Sequence, residues 1–399
     1  MSDKSDATTG RHRRFTTLAL MFLCHGLSLL GIGSIALFLP LIRADLGLTY
    51  TQAGVLSASS TLVYALMQMP AGALADRVGT RRVFLAGMLG HNVVIGAVGT
   101  ASAFGIMTGL LGLSGFFRSF VFLPGFLLLA GWFEPHRRAT AMSGFMAATF
   151  VFSSLLALVG PAMVEFLGWR PVVVALGVAG VVAALAFARW AADSPHAPLP
   201  QPTSWSAVFG LLRNQVMWVL GALQFIRLAI VYSIWFWMPT YLVDDVGLTL
   251  IQAGFLIAAA GFLGAPSNLI GGYVSDRTGT PVLVICGSFV VLALTLTTMA
   301  MTVSLPLVVV AVVFTFLFMQ FYFGSIFAVT IDTFGARTAG LTSGFGNFFA
   351  TIGSFVSGLA LGLLRDRTDS FAWGFGSLAV LAVVGVLLGL WLGRLRNLN

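Results

Sequence analysis

Long apolar runs, each about the length needed to cross a bilayer, alternate along this chain with short segments that carry nearly all of its charges. About 20 apolar residues in a helix span the hydrocarbon core of a membrane. The runs begin near Phe15, Thr51, Val83, Phe104, Ala139, Pro171, Val216, Leu250, Pro281, Pro306, Thr338 and Phe371. The pattern predicts an all-α membrane protein with twelve transmembrane helices, numbered below as spans 1 to 12.

One long connection separates the first six spans from the last six. Residues 192–212 contain four prolines, and clustered prolines favour an extended linker. We therefore expect an N-terminal six-helix bundle at 1–191, a cytoplasmic linker at 192–212 and a C-terminal six-helix bundle at 213–399.

The two halves share short motifs at one constant offset of 200 residues. The matching segments are 47–54 with 247–254 (Gly-Leu-Thr-x-x-Gln-Ala-Gly), 72–80 with 272–280 (Gly-x-x-x-Asp-Arg-x-Gly-Thr) and 143–145 with 343–345 (Ser-Gly-Phe). Because six spans is an even number, the halves are parallel repeats, which pack about an axis along the membrane normal. The repeat predicts two pseudo-symmetric bundles with a binding site between them.

Composition excludes several other classes of protein. With 58% hydrophobic and 9% charged residues, and a mean hydropathy of +0.98, the chain cannot cover a soluble surface. The net charge of +8 is not arranged as a basic stripe interleaved with aromatics, so nucleic acid is not the expected partner. Cys24 and Cys286 both lie in apolar runs, which argues against a disulfide framework. No metal-ligand spacing, phosphate loop or nucleophile–base pair is visible, so we expect neither an enzyme nor a cofactor or metal site.

The charges also predict the orientation. With both termini in the cytoplasm, fifteen of the 21 Lys and Arg residues fall on the cytoplasmic side, as the positive-inside rule requires. The four on the opposite side are Arg43, Arg170, Arg365 and Arg367. A multi-pass protein of the plasma (inner) membrane with cytoplasmic termini is expected.

The two remaining arginines, Arg118 and Arg227, stand near the centres of spans 4 and 7 without an acidic residue at their depth. An arginine at mid-membrane costs roughly 2.5–3.5 kcal/mol on insertion scales. Two such charges without an internal partner indicate reversible binding of an anionic ligand.

The loop after span 2 resembles the signature loop of the major facilitator superfamily. It reads Gly-Ala-Leu-Ala-Asp-Arg-Val-Gly-Thr-Arg-Arg over residues 72–82, and a degenerate copy follows span 8. The resemblance implies a cytoplasmic latch that holds the two halves together while the site faces outward. We expect Asp76 to meet the start of span 11 near Arg337, and Asp276 to meet the start of span 5 near Arg137 and Arg138. The expected latch residues are Gly72, Asp76, Arg77, Gly79, Arg81, Asp276 and Arg277, with Gly72 and Gly79 allowing close backbone approach.

In this superfamily spans 1, 4, 7 and 10 line the central cavity, and both buried arginines fall on such spans. Their planar, bidentate forks suit a carboxylate, and nearby polar and aromatic groups would add hydrogen bonds and an apolar wall. The candidate substrate-binding residues are Arg118, Arg227, Gln224, Tyr232, Trp235, Gln320, Tyr322, Tyr64 and Asn347. For any single aromatic, ordinary packing is an equal alternative.

A narrower resemblance is to the anion:cation symporter family, which includes bacterial sugar-acid carriers. It rests on Arg227 with Pro239-Thr-Tyr241, on the Gly-Leu-Thr-x-x-Gln-Ala-Gly segment at 247–254 and on residues 40–49. Arg118 falls where that family places a substrate-binding arginine. Two departures concern proton coupling. Gly31 and Ile32 replace an Asp-Arg pair on span 1, and Gly125 replaces an acidic residue two turns beyond the span 4 arginine.

We therefore expect a secondary transporter, working as a monomer in membrane lipid, that moves a small mono- or dicarboxylate by alternating access. Transport would run as anion exchange or proton-linked symport, with His25 on span 1 as the candidate proton site. An inorganic oxyanion (nitrate-like) carrier and an amphipathic drug efflux pump are the alternatives. The first lacks its glycine-rich signature helices in this chain, and the second needs no buried arginine pair.

Overall fold

The structure is a computed structural model that describes residues 2–133, 135–192, 213–334 and 339–397. Every regular element in these residues is a helix. The helices are α1 (Ser2–Leu37), α2 (Leu39–Leu46), α3 (Tyr50–Val78), α4 (Thr80–Val98), α5 (Phe104–Ala130), α6 (Pro135–Leu167), α7 (Trp169–Trp190), α8 (Gln215–Asp244), α9 (Leu250–Phe262), α10 (Gly264–Thr278), α11 (Pro281–Met301), α12 (Leu305–Phe321), α13 (Phe323–Phe334), α14 (Ala339–Thr368) and α15 (Ala372–Asn397).

These helices follow the predicted spans, with three spans interrupted by a single residue. Span 1 is broken at Phe38, span 8 at Leu263 and span 10 at Tyr322. Ten helical segments of the described chain are long and apolar enough to cross a membrane. Helices α3 and α4, with 29 and 19 residues, complete the predicted twelve spans but are not among these ten.

The described contacts divide the chain into two compact units that differ slightly from the expected halves. The first unit comprises the residues up to Ile42 and those from Ser59 to the linker between spans 6 and 7. The segment Arg43–Ala58 belongs to the second unit, together with spans 7 to 12. In the first unit, α4 packs against α5 and α7, and α1 packs against α6 and α7. A side chain at Gly177 of α7 would lie 2.5 Å from the backbone nitrogen of Gly96, so small residues set the approach of α4 and α7.

In the second unit the main pairings are α8 with α14 and α11 with α15. A β-carbon added at Gly353 would meet the carbonyl oxygen of Phe225, so α14 lies directly on the backbone of α8. This close packing leaves most of α8, including the stretch around Arg227, buried. The helix that carries the candidate arginine is therefore a central element of its unit.

The repeated segment at 47–54 and 247–254 has a local structural explanation. Gly47 and Gly247 take positive φ angles of 62° and 79°, which glycine adopts without strain. Two residues later Thr49 and Thr249 begin a helix, and each hydroxyl accepts a hydrogen bond from the backbone N–H of the glutamine three positions on, at 3.1 and 3.2 Å. Each glutamine side chain returns a bond to the threonine N–H at 3.0 Å. Both copies are capping boxes, which fix where the helix starts.

The segment Arg43–Ala58 is held within the second unit by a network of charged groups. Asp366 of α14 accepts hydrogen bonds from the backbone N–H groups of Tyr50 and Thr51, at 2.9 and 2.6 Å. The Arg43 guanidinium pairs with Asp244 at 2.9 Å and stacks on the Tyr50 ring, 3.2 Å from its centroid. This segment is therefore fastened to the ends of α8 and α14.

A second ion pair stabilises the same end of the unit. Arg365 contacts Asp245 at 2.9 Å and Asp369 at 2.8 Å. Burial raises the pKa of Asp245, while the N–H of Phe371 and the charge of Arg365 act in the opposite direction. Breaking a partly buried pair of this kind leaves an uncompensated charge, which destabilises the fold.

Candidate functional site

Arg227 lies in the interior of α8 with a defined geometry. Only 9% of its surface is exposed, and its Nε donates a 2.7 Å hydrogen bond to Oε1 of Gln224, one turn earlier on the same helix. The guanidinium carbon stands 4.8 Å from the ring centroid of Phe323, within the range of a cation–π contact. The two terminal Nη groups have no hydrogen-bond partner among the described residues. The group is thus oriented from one edge and from one face, with its fork unengaged.

Tyr322 lies beside this arginine, at the interruption between α12 and α13. The tyrosine is fully buried against the ring of Phe289, and its hydroxyl has no hydrogen-bond partner in the described chain. Tyr322 immediately precedes Phe323, whose ring lies against the Arg227 guanidinium. A buried hydroxyl without a partner costs about 1–3 kcal/mol. This arrangement suits an incoming oxygen atom that would engage both groups.

Arg118 occupies the middle of α5 in the first unit. Its guanidinium carbon lies 4.4 Å from the ring centroid of Tyr64, and its buried Nε has no hydrogen-bond partner in the described chain. The Tyr64 hydroxyl is in turn hydrogen-bonded by the side chain of Gln68. Arg118 therefore faces an aromatic ring that is itself held in place.

Both arginines share one property that decides the chemistry of the site. Among the described residues, the ion pairs formed by arginine involve Arg43, Arg365 and Arg396, and neither Arg118 nor Arg227 has a carboxylate partner. Each has an aromatic ring against one face of the guanidinium. Such groups retain their charge and their donors for a ligand, and an anion is the complementary ligand.

The remaining predicted site residues are placed in different surroundings. The Tyr232 hydroxyl lies 3.3 Å from Oγ of Ser57, and Trp235 packs edge-on against Phe316. Gln320 is half-buried, and the side chain of Asn347 is exposed. The structure thus groups Gln224 and Tyr322 with Arg227, and Tyr64 with Arg118. For all of these residues a role in binding stays a prediction.

The predicted latch residues lie at the ends of α3 and α10. Asp76, Arg77, Asp276 and Arg277 are exposed, and Arg81 donates to the carbonyl of Ala188 at 2.8 Å. The expected role of Gly79 was wrong in its reason. A β-carbon there would meet nothing within 4 Å, and its φ of 100° is what requires glycine.

The expected partners of the two latch carboxylates are at the starts of spans 11 and 5. Arg337 and the side chains of Arg137 and Arg138 lie outside the described residues. The latch therefore stays a prediction.

Two residues near the buried arginines, Phe323 and His91, were not among the predicted site residues. Phe323 is one of 35 phenylalanines, and nothing in the sequence distinguishes the ring that lies on Arg227 from the rest. His91 on α4 contacts Ser114, which precedes Arg118 by one helical turn. A serine and an arginine at i and i+4 in an apolar helix are the signal that could have linked them.

Comparison with known proteins decides the family. Residues 21–358 match the sequence profile of the Major Facilitator Superfamily. The chain belongs to this superfamily. The superfamily fold is also seen in the crystal structure of a bacterial homologue of the human lysosomal transporter Spinster, in an inward-facing and unoccupied conformation. That structure has a TM-score of 0.80 and 16% identity, covering 96% of this chain and 97% of the other.

Two relatives within the superfamily align along most of their length. A D-galactonate transporter of Escherichia coli is 25% identical, covering 96% of this chain and 95% of the relative. A probable galactarate/D-glucarate transporter of the same species is 24% identical over 86% and 85%. The predicted major facilitator fold and the predicted class, a multi-pass membrane transporter, are confirmed.

Proposed function

We propose that this protein carries a small organic anion, a mono- or dicarboxylate, across the membrane by alternating access. The observation that carries the proposal is the pair of arginines, Arg118 and Arg227, that have no acidic partner among the described residues. Each arginine is supported on one face by an aromatic ring, and one is fixed at its Nε by Gln224. A carboxylate would supply the missing charge to both.

The substrates named for the relatives support this class of ligand. Galactonate is a monocarboxylate, and galactarate and D-glucarate are dicarboxylates that carry hydroxyl groups. The unpartnered Tyr322 hydroxyl beside Arg227 offers a hydrogen bond to a carboxylate or hydroxyl oxygen. We infer that Arg227, Gln224 and Tyr322 bind one end of the substrate and that Arg118 with Tyr64 binds another part of it.

The remaining properties of the transporter follow from the sequence arguments. We place it in the inner membrane with both termini in the cytoplasm, functional as a monomer surrounded by lipid. Anion exchange and proton-linked symport are both compatible with the arginine geometry. An inorganic oxyanion is the alternative ligand, since its oxygens could also accept hydrogen bonds from the arginines and from Tyr322.

The test combines binding with transport. Purified protein is screened by thermal shift against D-galactonate, galactarate and D-glucarate, with neutral D-galactose and nitrate as comparisons, and uptake of the stabilising anion is measured in proteoliposomes. Arg118→Lys and Arg227→Lys should each lower affinity by about tenfold or more, because lysine keeps the charge but loses the planar fork. The matched control is Arg394→Lys, at an exposed position. Full uptake by both variants, or stabilisation by nitrate alone, would contradict the proposal.

A further inference from the structure

His91 lies fully buried near the middle of α4 and connects three helices of the first unit. Its Nε2 is 3.2 Å from the carbonyl oxygen of Ser28 on α1, and its Nδ1 is 3.0 Å from Oγ of Ser114 on α5. The carbonyl oxygen of Ser114 lies 3.4 Å from the same Nδ1. Both ring nitrogens therefore have polar partners in an otherwise apolar interior.

These contacts define the resting state of the ring. We assign the proton of the neutral ring to Nε2, because the shorter carbonyl contact is at Nε2 and because Nδ1 has the Ser114 hydroxyl as a donor. The lone pair of Nδ1 then accepts the hydroxyl hydrogen of Ser114. A second proton can be placed on Nδ1 without losing a hydrogen bond, because the hydroxyl can rotate and accept, and the Ser114 carbonyl is also in reach. The neutral and the charged imidazole are both satisfied at this position.

The other buried imidazole of the same unit differs in this respect. His25 stacks on Phe145 with the ring centroids 4.2 Å apart, and neither of its nitrogens has a hydrogen-bond partner in the described chain. A charged imidazole without acceptors is strongly disfavoured in an apolar environment. The sequence-based candidate for a proton site is therefore the less suitable of the two.

Arg118 provides the link between His91 and the anion. It follows Ser114, whose hydroxyl lies 3.0 Å from Nδ1 of His91, by one turn on the same helix α5. From Phe15 of α1 onward, where the structure describes the side chains, the other ionisable groups on helices packed against α4 are His25 and Cys24 on α1 and Arg170 and Arg189 at the two ends of α7. Helix α4 itself has Arg81 and Arg82 in its first turn. Arg118 is thus the permanent charge that lies in the candidate site and on the helix whose Ser114 contacts His91.

We propose that His91 is the proton-binding group of this carrier, taking up one proton when an anion occupies Arg118 and releasing it when the anion leaves. The inference rests on the proposed function, because it needs an anion at Arg118. The proton comes from water, bonds to Nδ1 and returns to water, and no covalent bond of the substrate changes. An empty site disfavours a second positive charge beside Arg118, while a bound carboxylate removes that repulsion. By linkage, protonation raises anion affinity as much as the anion favours protonation.

The experiment measures D-galactonate binding to the full-length purified protein between pH 5.5 and 8.5, by titration calorimetry. The carboxyl group of this probe titrates well below the range, near the reference value of about 3.3–4.3 for carboxylic acids, so it keeps its charge throughout. One linked proton makes Kd fall by up to tenfold for each unit of pH decrease. Repeating the titration in two buffers of different ionisation enthalpy counts the protons taken up, with an expected value approaching one.

Three variants separate a proton site from a structural one. His91→Gln keeps one donor and one acceptor but cannot take up a proton, so binding should persist at pH 8.5 and the pH dependence should vanish. His25→Gln should retain the pH dependence. Ser114→Ala removes the donor that stabilises neutral His91 and leaves the Ser114 carbonyl for the charged form, so the pH curve should move to higher pH.

Each outcome decides between the alternatives. A flat pH dependence in the wild-type protein, its persistence in His91→Gln, or its loss only in His25→Gln would overturn the assignment. If His91→Gln fails to fold, the direction of the Ser114→Ala shift decides, and an unchanged curve would overturn it. If the wild-type protein binds none of D-galactonate, galactarate and D-glucarate at any pH, the proposed function itself fails, and this inference fails with it.

Discussion

Oε1 of Gln224 accepts the Nε–H of Arg227 at 2.7 Å, and this bond orients a guanidinium that is buried in the middle of a membrane helix. The glutamine is neutral, so it positions the arginine without cancelling its charge. An acidic residue at the same place would give a stronger bond and remove the positive potential that a substrate needs. The choice of an amide over a carboxylate is therefore informative about the ligand.

This relationship predicts the effect of Gln224→Glu. The new carboxylate should pair with Arg227, and a charge-assisted bond of about 1.5–3 kcal/mol would then compete with the substrate. We expect anion binding to fall by about tenfold or more while the protein folds normally. Gln252→Glu is the matched control, because glutamate also serves at that position of a capping box. Thermal stability and D-galactonate affinity are measured together; unchanged affinity would contradict the positioning role.

The cytoplasmic latch predicts a separation of binding from conformational change. Asp76→Asn keeps the size of an exposed side chain at the end of α3 but removes its charge. In the predicted latch, Asp76 meets the N-terminus of span 11, where an acidic group is stabilised by about 0.3–1 kcal/mol. Without that charge, the outward-facing state that the latch holds should become less populated. Substrate affinity should be retained. The measurement is the accessibility of single cysteines on the two membrane faces, and a variant that lost binding with unaltered accessibility would refute the latch.

Asp366 of α14 accepts hydrogen bonds from the first residues of α3, so we expect removal of its carboxylate to destabilise the protein. Asp366→Ala leaves the N–H groups of Tyr50 and Thr51 without their acceptor, and a lost helix cap typically costs about 0.5–2 kcal/mol. The control is Asp369→Ala, because the Asp369 side chain is fully exposed and such pairs contribute about 0–1 kcal/mol. In detergent, the melting temperature of Asp366→Ala should be well below that of the control. Equal melting temperatures would argue against the cap.

The predicted orientation can be tested at the linker, which lies outside the described residues. Pro200→Cys, made in a background lacking Cys24 and Cys286, should react with a membrane-impermeant maleimide only after the cells are opened. We expect position 200 to be cytoplasmic because Lys and Arg are in excess on that side of the predicted topology. A cysteine at Arg43 or Arg367 serves as the counterpart that should react in intact cells. Labelling of position 200 in intact cells would reverse the topology.

The helical architecture was predictable because apolar runs of membrane length leave the backbone only one way to satisfy its hydrogen bonds. The starts at Phe104, Leu250 and Pro281 coincide with those of helices in the structure. The interruptions at Phe38, Leu263 and Tyr322 were not predicted, although Pro40 and Pro266 follow closely after two of them. Helices α3 and α5 also continue through Pro70 and Pro124, as membrane helices allow.

The candidate site was only partly predictable, for a similar reason. Arg118 and Arg227 stand out because charge is rare in apolar runs. Tyr64 was among the predicted residues, but its contact with Arg118, and the contact of Phe323 with Arg227, join different helices and follow only from the packing of the chain. The Thr-x-x-Gln start of α9 did carry a readable capping signal. Local hydrogen-bond patterns can be found in a sequence, whereas contacts between distant helices require the fold.

The bond from Asp366 to the start of α3 has a consequence for the synthesis of the protein. Asp366 lies 316 residues after Tyr50, whose N–H it accepts. The ribosome therefore synthesises α3 long before the carboxylate that caps it. Until span 11 emerges, that end of the helix can rely only on Thr49 and Gln52, which are available at once. A nascent chain truncated before Asp366 would hold a helix whose beginning is set locally by Thr49 and Gln52 but is not yet bound to the later half of the chain.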